Sequence, residues 1–256
     1  MCGRYASSRQ PEDLIEEFEI DQPASVGVPR LEPDFNVAPT KDVYAVVQRP
    51  TSADGGPGER QLRTATWGLV PFWAKDPSIG SRMINARMET VATKPAFRRA
   101  FERRRAILPA DGYYEWYETS QLTSRGSSRG KPRKQPYYIH PKDSGILAMA
   151  GLYEIWRDPD KADEDPSAFR WTTTVITTEA EDSLGRIHDR MPLMLTPDRY
   201  AEWLDPSITS TERLLALLSP AVPGRLEATP VSTLVSNVRN NGPELIEPLP
   251  VQEVLT

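Results

Sequence analysis

Apolar positions change period several times along the chain, and each change predicts an element. Between Pro11 and Glu19, Leu14, Ile15 and Phe18 fall at helical spacing behind acids in the first turn, which predicts a short amphipathic helix. Val43 to Gln48 and Leu62 to Trp67 are rich in apolar and β-branched residues and predict two strands of a hairpin, joined across a Gly- and Pro-rich segment at 50–59. Ala106 to Pro109 and Tyr113 to Tyr117 read as extended and are interrupted by Asp111-Gly112, a turn or bulge signal. Further strands are predicted at Tyr137–His140, Ile146–Tyr153 and Trp171–Thr177, and helices at Pro197–Leu204, with Thr196 as N-cap, and at Thr211–Leu218. Segments 50–60, 121–135 and 158–168 are polar and without apolar periodicity, so they are expected to be mobile loops. The expected fold class is α+β: a single domain over residues 1–256, with a curved, mainly antiparallel sheet or open barrel surrounded by short helices.

Composition narrows this picture. The 25 prolines and 15 glycines are spread along the 256 residues, which suits many short elements and not a long helical bundle. No apolar run approaches the ~20 residues of a membrane span and the start of the chain has no signal-peptide pattern, so a soluble cytoplasmic protein, nucleoid-associated in a bacterium, is expected, with no membrane partner. Cys2 is the one cysteine, so an internal disulfide is excluded, and a zinc site would need carboxylates beside His140 and His188; neither a metal nor a cofactor is expected. The net charge of -5 hides a strong polarity. From Lys75 to Arg105 nine basic residues stand against Asp76, Glu89 and Glu102, while acids gather at Glu12–Asp21, Asp158–Asp165 and Glu179–Asp182. The plain reading of Phe97–Arg105 is a helix with a solvated basic face; the other is a surface for nucleic acid.

Cys2 carries the first candidate chemistry. A small second residue normally permits removal of the initiator Met, which would place an α-amine and a thiol on one Cα. The α-amine has a reference pKa of about 7.7–8.0, against ~10.4 for lysine, so a useful fraction is neutral and able to attack an aldehyde at neutral pH. The thiol then closes a five-membered thiazolidine, helped by proximity. Taken alone, a cysteine at position 2 also reads as an accident of a frayed terminus.

The strings MCGRYA (1–6), FNVAPT (35–40), WGLVPFWA (67–74), MINARMET (83–90), LPADGYYEW (108–116), IHDRMPLML (187–195) and VSNVRNNGPELIEP (235–248) occur together and in this order. With them the chain resembles the SRAP family, abasic-site-processing proteins also called SOS-response-associated peptidases, whose members crosslink to abasic sites through the N-terminal cysteine. The resemblance runs from Cys2 to about Pro248. It implies a sensor and shield of abasic sites in single-stranded DNA, forming a covalent thiazolidine crosslink through Cys2, as part of the DNA damage and SOS response.

The resemblance also implies a catalytic set of Cys2, Asn85, Glu115 and His188. Chemically, Glu115 would shuttle protons during Schiff-base formation, His188 would protonate the sugar ring oxygen as the hemiacetal opens, and Asn85 would orient the cysteine or the sugar. Each also has a plain structural reading: a strand carboxylate, a packed histidine, a turn or cap residue. For DNA the resemblance places phosphate contacts on Arg4, Arg87 and Arg190, a pocket contact on Asn36, and stacking or wedging on Trp67 to Trp73; Asn36 before an apolar-Pro turn reads equally as structural, and some of the six tryptophans must be interior. Where some family members carry an arginine, this chain has Lys94-Pro95, which leaves that phosphate contact to Lys94 as a point charge or to Arg98 and Arg99. The partner expected is single-stranded DNA with an abasic site, bound by a monomer. Weak lyase activity and autoproteolytic removal of Met1 are secondary expectations. The competing readings are an N-terminal-nucleophile peptidase limited to self-processing and a non-catalytic single-strand-binding module.

Overall fold

The structure is a computed structural model, and it describes residues 2–21, 27–49, 58–122, 132–162, 164–180, 182–218 and 224–250. Among these residues twelve strands are defined: β1 Tyr5–Ser7, β2 Asp34–Val37, β3 Asp42–Arg49, β4 Glu59–Trp67, β5 Asn85–Arg87, β6 Arg105–Ala110, β7 Gly112–Leu122, β8 Pro132–Pro141, β9 Leu147–Arg157, β10 Phe169–Glu179, β11 Arg190–Pro192 and β12 Leu226–Pro230. The helices are short: α1 Pro11–Glu17, α2 Arg98–Arg103, α3 Asp182–Gly185, α4 Pro197–Leu204 and α5 Thr211–Leu217.

One sheet has the order β12-β8-β7-β1-β2. The other runs β11-β10-β4-β3-β6-β9 and returns, because β9 also pairs β10 from Phe169↔Arg157 to Val175↔Gly151. Five strands, β10, β4, β3, β6 and β9, therefore close a barrel. The period-2 alternation of β3 sorts its residues between two cores. Val43, Ala45 and Val47 join Ala106, Leu108, Met149 and Val175 in one cluster, while Tyr44 and Val46 join Leu14, Phe18, Phe101, Trp203 and Leu214 in another. The second cluster holds the helices, so it lies outside the barrel, and the first fills the interior. Each such fully buried aliphatic side chain stabilises the fold by about 1.5–3 kcal/mol of transfer free energy.

The α+β class and the single domain with a mainly antiparallel sheet agree with the sequence reading. Two details differ. β10 runs parallel to β4 at Thr172↔Thr66 and to β5 at Val175↔Asn85, pairings between strands far apart in sequence. The strands also reach further than expected: Arg49 pairs Glu59, Glu118 pairs Lys134 and Leu122 pairs Pro132, and what is left of the two expected loops, 50–57 and 123–131, lies outside the described residues. In segment 158–168, Pro166–Ala168 forms a 3-10 helix and Asp158 N–H donates to the Ala168 carbonyl at 2.7 Å.

The basic stretch is not one solvated face. Arg105 is 2 % exposed and donates to the carbonyls of Trp203, Phe101, Glu102 and Asp205, and burial brings its pKa down to about 10. Arg104 pairs with the buried Glu154. Arg98 and Arg99 remain on the surface of α2.

Candidate active site at the near end of the barrel

The N-terminal strand is threaded into the molecule. β1 lies between β2 and β7, with Tyr5 opposite both Val37 and Tyr113, and the Arg4 carbonyl accepts from Tyr114 N–H at 2.9 Å. Cys2 is consequently fully buried, its Sγ 3.9 Å from the Arg4 carbonyl oxygen. The position is fixed by a ladder, which a frayed terminus does not have.

Asn85 opens β5, alongside Val175 of β10, and its Nδ2 donates to the Cys2 carbonyl at 2.7 Å. Its Oδ1 is buried and accepts no hydrogen bond among the described residues, an acceptor held ready beside Cys2. Trp67 sets this arrangement from below: its Nε1 donates to the carbonyl of Ile84 at 2.9 Å, and its ring meets Tyr5 edge-on at 5.0 Å. The chain turns away from Trp67 at Gly68, whose φ of +135° and 2.6 Å approach of any Cβ to the Gly80 carbonyl admit glycine and exclude larger residues.

Glu115 lies on β7 opposite Tyr137 and is 4 % exposed. Burial, reinforced by the charge of Asp189, pushes its carboxyl up to about 7. Its charge acts on Cys2 in turn: burial first, then Glu115, drives the Cys2 thiol well above its ordinary value, so the sulfur rests as a thiol. His188 sits between α3 and β11, with a pKa lowered chiefly by burial. Its Nδ1 has two neighbours with opposite demands: Arg190 N–H donates to it at 3.0 Å, and Asp189 Oδ1 lies 2.9 Å away. A backbone N–H cannot give up its proton, whereas Asp189 is 86 % exposed and free to face water, so Nδ1 accepts and the neutral ring carries its proton on Nε2.

Asn85 is thus hydrogen-bonded to Cys2, Glu115 is electrostatically joined to it, and the Asp189 charge acts on both Glu115 and His188. The arrangement offers a buried thiol, a carboxyl able to exchange a proton near neutral pH, a neutral imidazole donor and an amide acceptor. Among the described residues no group of His, Cys, Asp and Glu is placed to hold a metal.

The DNA-binding candidates divide. Arg87 is exposed on β5, and Trp73 is 50 % exposed beside Phe72, over whose ring Arg99 stacks at 4.3 Å. Arg190 faces the same strand end but is occupied: it forks onto Glu89 at 2.7 and 3.1 Å and donates to the Thr177 carbonyl at 2.7 Å. Arg4 donates to Asn36 Oδ1 at 2.7 Å and to the Val235 carbonyl at 3.0 Å, and lies 5.7 Å from the Trp116 ring centroid. Asn36 is fully buried and spends its amide on the carbonyls of Val235, Asn237 and Asn240, so it pins segment 235–240 and presents no atom to a ligand. Trp67 is fully buried, with no face open to a base.

Two residues went unnoticed in the sequence. Glu89 stands in the MINARMET string, but nothing local shows that it meets Arg190, and that donated hydrogen bond holds its carboxyl below the ordinary range. Tyr5 is fully buried in the same cluster as Cys2, with a hydroxyl that has no hydrogen-bond partner among the described residues.

Fold and site together define a barrel protein with an N-terminal thiol sealed into a polar, protonatable pocket. The family model "SOS response associated peptidase (SRAP)" matches residues 1–238, and the chain belongs to that family. It is 40 % identical over 247 residues to the abasic site processing protein YoqW of Bacillus subtilis, covering 96 % of this chain and 99 % of that one. It is 33 % identical to the abasic site processing protein YedK of Escherichia coli, covering 97 % and 100 %. A crystal structure of a protein from Bacteroides thetaiotaomicron superposes with a TM-score of 0.77 at 25 % identity, covering 97 % of this chain and all of that one.

Proposed function

We propose that this protein captures abasic sites in single-stranded DNA covalently, through Cys2, and so shields them. The observation that carries this reading is the buried Cys2 joined to Asn85 by its carbonyl and to Glu115 by charge. An abasic site offers an aldehyde at a position already without a base, so no unstacking has to be driven to reach it. The names of the relatives, abasic site processing proteins, point to the same substrate.

The reaction requires Met1 to be removed, so that the α-amine belongs to Cys2. As the sugar opens, the proton of the anomeric hydroxyl passes through water to the ring oxygen, to which the neutral His188 donates a hydrogen bond from Nε2–H. The neutral amine adds to the aldehyde carbon, Glu115 takes a proton from nitrogen and returns one to the departing hydroxyl, and water leaves to give a Schiff base. The Cys2 S–H then adds across the C=N bond, sulfur to carbon and proton to nitrogen, closing the thiazolidine. A protein that holds its thiol protonated favours amine attack first. Arg87 and the exposed Trp73 would bind phosphate and an unpaired base around the lesion.

A second reading, favoured by the family's description as peptidases, is hydrolysis of the Met1–Cys2 bond by the same residues, the step that would expose the amine. β-Elimination from the Schiff base would give weak lyase activity.

The test is incubation of the chain beginning at Cys2 with a single-stranded oligonucleotide carrying one abasic site, resolved on a denaturing gel. The account expects a heat-stable adduct that is absent with Cys2→Ala and absent with an intact oligonucleotide. No adduct with the wild-type chain, or an undiminished one with Cys2→Ala, overturns it.

A further inference from the structure

The reactive pocket uses one end of the barrel. At the opposite end β3 finishes at Arg49, β4 sets out from Glu59 through Arg63, β9 runs out past Tyr153, and β10 begins with Phe169 and Trp171. Trp171 precedes Val175, the partner of Asn85, by four residues on β10, which separates the two ends by ~13 Å of strand.

This far mouth concentrates positive charge on an aromatic floor. The rings of Tyr153 and Trp171 are stacked, 5.1 Å apart and 17° from parallel. The guanidinium carbons of Arg49 and Arg63 each lie 5.6 Å from the Trp171 ring centroid. Two cations gathered on one indole repel each other, and among the described residues neither makes an ion pair. Arg63 spends Nε and Nη2 on the neutral Gln61 Oε1, at 3.1 and 2.7 Å. Arg49 is exposed and makes no ion pair or side-chain hydrogen bond among the described residues, although Glu59 stands directly across the ladder from it. The buried Glu154 is taken by Arg104. Burial and then the Arg49 charge hold Arg63 below its ordinary pKa. One cation–π contact explains one arginine; a pair on a single ring, without an ion pair among the described residues, is a geometry suited to an anion.

We propose that the far mouth is a second binding site, for a phosphate group, in which Arg49 and Arg63 fork onto the phosphate oxygens beside the Trp171 ring. Guanidinium forks match phosphate oxygens in pairs, and the indole edge accommodates the flat base or sugar that a phosphate ester carries. A free nucleotide and a stretch of intact single strand offer this same chemistry. The site uses none of the residues around Cys2, so it stands or falls separately from covalent capture.

The experiment follows the indole N–H resonances of the full chain, with that of Trp171 identified by its loss in Trp171→Phe. The probes are inorganic phosphate, thymidine monophosphate and an intact short oligothymidylate, against sodium chloride at matched ionic strength. The Trp171 resonance moves saturably with a phosphate-bearing probe and not with chloride. Arg49→Ala and Arg63→Gln each weaken that response by about tenfold or more. Since Arg49 is exposed, its replacement leaves the unfolding midpoint unchanged and separates lost binding from lost folding. A tighter response to the monophosphate assigns the site to free nucleotide, and a tighter response to the oligonucleotide assigns it to the strand. No movement with any phosphate probe, an equal movement with chloride, or a full response in Arg49→Ala overturns the proposal.

Discussion

The two ends of the barrel treat charge in opposite ways. Around Cys2 the groups assigned to the chemistry are drawn out of water and held neutral or close to it: Cys2 buried as a thiol, Glu115 buried and near half-protonation at about pH 7, His188 half-buried and below its ordinary pKa. At the far end Arg49 and Arg63 are charged, close together and reachable from solvent. A neutral interior suits making and breaking bonds with protons in flight, because the groups exchange protons at working pH. A surplus of fixed cations suits holding an anion and does no proton chemistry. The same closed sheet serves both, because ~13 Å of strand separates its two ends.

The sharpest way to break this contrast is to fix the near end's charge state. Glu115→Gln should lower the rate of adduct formation by about 10²–10⁴-fold. In the wild type the rate climbs through about pH 7, where Glu115 becomes a base, and the variant loses that limb while keeping the later rise of the amine. The same change carries a stability signature. Folding raises the Glu115 pKa from 4.5 to about 7, so the folded state is favoured at low pH and loses stability as pH climbs between those values. Glu115→Gln removes that loss, and its denaturant midpoint at pH 8 should exceed the wild type's, by a stability on the order of 1–3 kcal/mol. A wild-type rate flat across pH 6–8 would break the comparison.

The tryptophans extend it from chemistry to packing. Trp67→Ala should cost about 3–5 kcal/mol of stability by calorimetry or denaturant, since the ring is fully buried and tethers Ile84 beside Asn85. Trp73→Ala should leave stability nearly untouched and weaken binding to intact single-stranded DNA by about 1–3 kcal/mol in a titration. Asn36→Ala should cost about 1–3 kcal/mol of stability, by orphaning Arg4 and the carbonyls of segment 235–240, with a smaller effect on DNA affinity. Affinity lost with stability intact in Asn36→Ala would return that residue to the DNA surface.

Strands were legible wherever their neighbours are close in sequence. The β3–β4 hairpin, the break at Asp111-Gly112 and the helices at Pro197 and Thr211 follow from period and turn residues alone. The barrel's closure was not, because the parallel pairings of β10 with β4 and β5 join segments whose local patterns say nothing of their partners. The site shows the same limit. The motif strings point to Cys2, Asn85, Glu115 and His188, but composition cannot separate Trp67 from Trp73, or the surface Arg98 from the interior Arg105. Those distinctions arise from which face of a strand or helix meets a core assembled from distant segments. The pairing of Arg190 with Glu89, 101 positions apart, is of the same kind.

The central claim is that residue 2 itself carries the DNA. The direct measurement is peptide mapping by mass spectrometry after reaction with an abasic single-stranded oligonucleotide and nuclease digestion. The account predicts that the N-terminal peptide, starting at Cys2, alone gains the mass of the deoxyribose remnant less one water, with its thiol no longer alkylatable. A remnant on an internal lysine, or an N-terminal peptide that carries the sugar but keeps a free thiol, would contradict it.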